Sequence, residues 1–313
     1  GLHITTGRRF GLYPWQQTLM SRGYLILLVA LIFATPLTAD VIHREKSIYR
    51  NIEVQESGRD RCLVFAQRSD DRRQSCVNLK DPDRVVCSYL RMAFAGLVLN
   101  ERPRSILIVG LGAGTLPTAL GDLYPEATID VIEIDAAVVR VAEAYFDFKV
   151  TDRVQVWVQD ARVFIKRAGR RGDHYDLIIL DAFTGEYIPE HLMTREFLQE
   201  VRSLLSDTGV LVANTFSSSD LYDYESATYR DVFGKFFNFK LPASGNRVVI
   251  ASPNPLPDNE ALRAAASRLS KPLSRFGVAI DSFPRFLTTR ADWDEDAPVL
   301  TDQFSPANLL KNR

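Results

Sequence analysis

Between Pro103 and about residue 250, short apolar runs alternate with amphipathic stretches. SILIVGLG, TIDVIEID, VQVWVQD and DLIILD read as strands, and the segments from Thr115, from Val138 to Phe146 and from Ala161 read as helices. Alternation of this kind predicts a parallel sheet covered by helices on both faces. Farther along, Leu192, Phe197, Leu198, Val201, Leu204 and Leu205 recur at helical spacing ahead of a strand, GVLVANT, at Gly209. Another helix, a hairpin-like pair (FKLPA and RVVIASP) and a helix from Asn259 to Leu269 follow, and the end is irregular and contains proline. No internal repeat interrupts the series.

Before Pro103 the period changes. SIYRNIEVQ places Ile48, Ile52 and Val54 on one face, and CLVFAQ and QSCVNL flank a polar turn, RSDDRR. Residues 40–100 therefore read as a small β domain in front of a larger domain over 101–313. A turn centred near Ser69 sets Cys62 opposite Cys76, within reach of a disulfide. A bridge and two reduced thiols both fit the pattern, since one residue of register slip separates the pair.

Residues 1–39 differ from the rest. They hold Arg8, Arg9 and Arg22 but no lysine and none of the chain's 39 acidic residues. Tyr24 to Ala34 form an apolar run, and Ala39 is a plausible cleavage position. The run is short for a membrane span, so an export signal is expected first, with an uncleaved anchor or a buried helix as alternatives. The signal makes sense counted from Met20, and a start there and a start upstream of it both fit the sequence. Elsewhere the composition is that of a globular protein: 313 residues, 46% hydrophobic, 25% charged, net charge −1. So balanced a charge argues against a nucleic-acid partner. Three cysteines without CxxC spacing and four scattered histidines give no metal signature.

Ligands of open α/β sheets bind beyond the carboxyl ends of the strands, so the strand ends hold the candidate chemistry. The first ends in VGLGAGTL, where Gly110, Gly112 and Gly114 allow a tight turn and close approach of a ligand to the backbone. About 20 residues later, VIEID supplies Glu133, a candidate acceptor for both ribose hydroxyls, and Asp135, which is either a second ligand or a helix cap. The third end supplies Asp160, followed by Ala161, suited to an adenine amino group. The fourth leaves Asp181 at the mouth of the crevice, ahead of a lid-like loop containing Phe183, Gly185, Tyr187 and Pro189. Asp181 is the catalytic candidate.

VGLGAGTL, VIEID, VQDARVF and ILDAFTGEYIPEHL, in this order and spacing, resemble the spermidine synthase (polyamine aminopropyltransferase) family. EKSIYRNIEV, the Gln74–Ser75 pair, SYLRM around Tyr89 and VLTDQFSPANLL extend the likeness over most of residues 44–304. The resemblance implies a Rossmann-like fold of the class I S-adenosylmethionine-dependent methyltransferase type, preceded by the small β domain. It implies aminopropyl transfer from decarboxylated S-adenosylmethionine to an amine, without a metal, in a dimer or tetramer; a homodimer is expected here. Position by position, it makes Glu133 the ribose ligand, Asp160 the adenine contact, Asp181 the catalytic aspartate, Tyr89 a wall of the acceptor channel and Gln74 a neighbour of the nucleoside.

The departures gather where cationic amines should sit. Gly112 and Thr184 stand where the family has aspartates, and Arg50 and Leu90 stand where it has glutamines. An ammonium buried without a carboxylate costs several kcal/mol, unless Glu186 or Glu190 compensates. Arg50 or Arg91 could instead hold the carboxylate of ordinary S-adenosylmethionine or of an acidic acceptor, or be solvated. Methyl transfer is thus the alternative to aminopropyl transfer, and a nucleoside-binding module without turnover is the third reading. An exported transferase would lack its cytoplasmic donor. A catalytic domain held inside the cell by an anchor removes that conflict, and the N-terminal segment is then a membrane attachment.

Overall fold

A computed structural model describes residues 39–67, 70–182, 188–242, 244–304 and 306, with the backbone alone for residues 66, 67 and 70–74. The N-terminal apolar segment and the loop holding Phe183, Thr184, Gly185, Glu186 and Tyr187 lie outside these residues. Five strands come first: β1 (Asp40–Lys46), β2 (Asn51–Ser57), β3 (Asp60–Gln67), β4 (Asp70–Asn78) and β5 (Asp81–Val85). They form an antiparallel sheet in sequential order. Ile52 and Val54 are buried on β2 as their alternation predicts. Ile48 is not: it sits 92% exposed in the β1–β2 turn, where Ser47 closes the bend by donating its N–H to the carbonyl of Arg50 at 2.9 Å. On β3 and β4, Cys62 lies directly opposite Cys76 and the two are joined in a disulfide, with Cα atoms 4.1 Å apart. Cys87 is unbridged, and burial pushes its thiol up to about 11.

A short helix, α1 (Ser88–Ala93), and a 3₁₀ turn over Phe94–Val98 lead into the second sheet. Its elements are β6 (Ser105–Val109), α2 (Thr115–Leu123), β7 (Thr128–Glu133), α3 (Ala136–Tyr145), β8 (Val154–Val158), α4 (Ala161–Arg171), β9 (Tyr175–Leu180), α5 (Arg195–Ser203), β10 (Leu205–Phe216), α6 (Tyr222–Phe233), β11 (Phe237–Lys240), β12 (Asn246–Ala251), α7 (Asn259–Ser274) and β13 (Leu287–Thr288). The spatial order is β13-β11-β12-β10-β9-β6-β7-β8. Strands β6 to β10 are mutually parallel, whereas β12 runs antiparallel to both β10 and β11. The sheet is therefore mixed, which the expected hairpin pair already required.

Side chains alternate across it. Ile106, Ile108, Leu177, Ile179, Val210 and Val212 face the core built with α2, α3 and α7. Leu107, Val109, Ile178, Leu180, Leu211 and Ala213 face the core built with α4, α5 and α6. Ile52, Val54, Leu63 and Phe65 of the small sheet join the first of these cores. The apolar spacing through Leu205 overran the helix: α5 ends at Ser203, because the carbonyl of Leu204 accepts the N–H of Tyr175 at 2.7 Å and draws the chain into β10. Beyond, Arg247 on β12 is wholly buried and donates to Thr215 Oγ1 (2.8 Å), Ser226 Oγ (2.6 Å) and Glu225 Oε2 (3.0 Å).

Candidate active site

The chain leaves β6 toward β7 and β8 on one side and returns to β9 on the other, so the strand order reverses between β6 and β9. A crevice opens at such a switch point. Here the N–H of Asp181 donates to the carbonyl of Val109 at 2.8 Å, and that of Gly110 to Ile132 at 2.8 Å, so three strand ends are pinned side by side. A Cβ on Gly110 would overlap the carbonyl oxygen of Asp181, and its φ of +104° is open to glycine. The cleft above them encloses about 290 Å³ and is lined by Gly110, Gly112, Glu133, Asp160, Ala161 and Asp181, with Arg50 and Tyr89 closing it from the small sheet and α1.

Glu133 ends β7 with its carboxylate buried in this cleft. Its Oε2 accepts the N–H of Leu111 at 3.1 Å and its Oε1 that of Asp135 at 3.0 Å, so one side chain braces two loops. Burial raises its pKa, against the lowering effect of the two amides and of Arg50. Asp160 starts α4, capping Val163 N–H at 3.0 Å through Oδ1, while Oδ2 meets His191 Nε2 at 3.1 Å. Asp181 follows β9 and lines the same cleft. Asn214, buried on β10, donates to its Oδ1 at 2.8 Å, and burial pushes the carboxyl up to about 7. Tyr89 is half-buried in the same cleft, and desolvation together with the charge of Asp181 holds its phenol protonated.

The other candidates lie partly in the cleft and partly away from it. Asp135 does not line the cleft: it caps α3 through Ala137 N–H (2.9 Å) and accepts from Ser47 Oγ (2.6 Å). Gly114 is likewise outside, packed against Phe148, where a Cβ would strike the ring. Arg50 lines the cleft, with its guanidinium 4.2 Å over the Phe65 ring and its Nε 3.8 Å from Asp135. Leu90 packs into the core, so no acceptor is missing from the cleft there. Arg91 turns away, donating to the carbonyls of Val85 (2.8 Å) and Val86 (2.7 Å). The side chain of Gln74 and all of Thr184 lie outside the described residues. His191 and Asn214 escaped the sequence reading; a lone amide inside the apolar run GVLVANT was the available signal for the second.

Among the described residues no cluster of histidine, cysteine, aspartate or glutamate could hold a metal ion, and no helix is long and apolar enough to cross a membrane. The family profile described as spermine/spermidine synthase domain matches residues 89–243. The polyamine aminopropyltransferase of Vibrio vulnificus is 51% identical over 300 residues, covering 93% of this chain and all of that protein. Among solved structures, a probable spermidine synthase from Corynebacterium glutamicum superposes with a TM-score of 0.62 at 22% identity, over 83% of this chain and 99% of its own. Human methyltransferase-like protein 13, in complex with SAH, superposes with a TM-score of 0.56 at 27% identity, over 70% of this chain and 100% of its own. With half its residues shared with a relative it spans end to end, the chain belongs to the spermine/spermidine synthase family.

Proposed function

We propose that this protein is an aminopropyltransferase that joins the aminopropyl group of decarboxylated S-adenosylmethionine to a small amine. The carrying observation is that one cleft gathers Glu133, Asp160, Tyr89 and Asp181, in a chain 51% identical over 300 residues to a polyamine aminopropyltransferase. In this reading Glu133 accepts from the ribose hydroxyls, Asp160 faces the adenine amino group, and Gly110, Gly112 and Ala161 supply backbone against the nucleoside. Tyr89 walls the acceptor channel. Arg50 serves the nucleoside by favouring the ionised form of Glu133, in opposition to its desolvation.

The chemistry asks chiefly for alignment, since a sulfonium already activates its neighbouring carbons. The amine's lone pair attacks the propyl carbon, the carbon–sulfur bond breaks, and methylthioadenosine leaves with the bonding electrons. Asp181 accepts the proton the amine sheds, and a carboxyl poised at about 7 is matched to that task near neutral pH. Methyl transfer is the second reading, favoured by the human methyltransferase likeness and by Gly112 in place of an aspartate. Incubation with each donor and an amine, followed by mass spectrometry, separates the two. Methylthioadenosine from the decarboxylated donor supports aminopropyl transfer; S-adenosylhomocysteine from the carboxylated one overturns it.

A further inference from the structure

The carboxylate of Asp181 ends a chain of side-chain amides that starts on a different strand. Asn246, at the first position of β12, donates through Nδ2 to Oδ1 of Asn214 at 3.0 Å, and Asn214 donates through Nδ2 to Oδ1 of Asp181 at 2.8 Å. A primary amide has one donor end and one acceptor end, so fixing either end fixes the other. With its oxygen engaged by Asn246, Asn214 presents N–H and not C=O to Asp181. We propose that Asn214, oriented by Asn246, is the positioning residue that holds one oxygen of Asp181 and leaves the other to the attacking amine.

The geometry supports this in three ways. Asn214 is 4% exposed, so its amide has little recourse to water and its hydrogen bonds are obligatory. It sits on the strand next to the one Asp181 ends, in the centre of the sheet, where main-chain pairing leaves little freedom. An N–H donor favours the ionised carboxylate over the neutral acid, which is the form a base requires. Of the other groups around it, Tyr89 and Cys87, half-buried at the start of α1, are neutral; Glu133 and Asp160 line the same cleft as further acids, and His191 bonds Asp160.

The inference rests on Asp181 being the base in the proposed transfer, and two readouts keep them separable. The first is the ratio of variant to parent kcat against pH, in which titration of the amine substrate cancels. For Asn214→Ala the expected ratio is about one-tenth or lower at pH 6.5, climbing to within about threefold of parity by pH 9, with donor affinity unchanged; one pKa unit corresponds to that tenfold. The second needs no turnover: infrared titration of the carboxyl C=O band that Asp181→Asn abolishes. Its midpoint is expected to rise by about a unit in Asn214→Ala and by less in Asn246→Ala, which also serves if the first variant fails to fold. Midpoints unmoved in both variants, or an activity ratio flat across pH, overturn the proposal. A shifted band in a protein without transferase activity upholds the amide chain and overturns the function assigned to it.

Discussion

Glu133→Gln is expected to damage binding and stability together, because the same carboxylate faces the cleft and braces its walls. Its two oxygens hold the N–H groups of Leu111 and Asp135 at 3.1 and 3.0 Å. Glutamine keeps the shape but has an acceptor at one end only, so one buried amide must face another donor whichever way the side chain turns. An unsatisfied buried amide costs about 1–3 kcal/mol, which at roughly 2–4 °C per kcal/mol for a unit of this size lowers Tm by about 2–12 °C. Losing a charged partner for the ribose costs about 1.5–3 kcal/mol, or roughly 10- to 150-fold in nucleoside affinity. Calorimetric titration of parent and variant with the decarboxylated donor, beside thermal melts, reads both quantities. A variant that melts lower yet binds within about twofold of the parent refutes the ribose assignment. One that binds weakly but melts like the parent refutes the bracing role.

Asp181 is held at about 7 in the folded protein against an ordinary value of 3.8, so the native state retains a proton the unfolded chain releases between those values. Stability therefore falls as pH rises from about 4 to 7, and Asp181→Asn, freed of this penalty, should exceed the parent at pH 8 by the order of 2–4 kcal/mol, with the gap closing at pH 4 in denaturant titrations; an equal gap at both values removes the burial argument. Reduction of the Cys62–Cys76 bridge, which closes a loop of 14 residues' separation, should cost about 3 kcal/mol, visible as a lower melt with reductant than without. Arg247→Met leaves Glu225 buried without its cation and should cost about 3–5 kcal/mol in urea unfolding; a loss below 1 kcal/mol would mean that the pair is dispensable.

Much of the cleft was legible because this fold carries its ligand groups where strands stop, and strand ends are visible as the last polar residue after an apolar run. Glu133, Asp160 and Asp181 are such residues. Asp135, also at a strand end, is a cap instead, and only the three-dimensional neighbour Ser47, 88 residues earlier, reveals that its second oxygen is engaged as well. Strand β1 was not legible, since its burial merely alternates between exposed and intermediate, and β5 is exposed along four of its five residues. The Asn246–Asn214 contact joins residues 32 apart across an antiparallel ladder, and no periodicity announces such a pair.

The reversed direction of β12 has a consequence for where new side chains can reach the cleft. In an all-parallel sheet every strand delivers its last residue to the ligand side, and its first residue lies at the far edge of the molecule. Because β12 runs the other way, its opening residue, Asn246, stands level with the closing residues of β10. Substitutions at the beginning of that strand, or a change in the length of the turn feeding it, therefore act on the environment of Asp181 without touching any of the loops that ordinarily diversify this architecture.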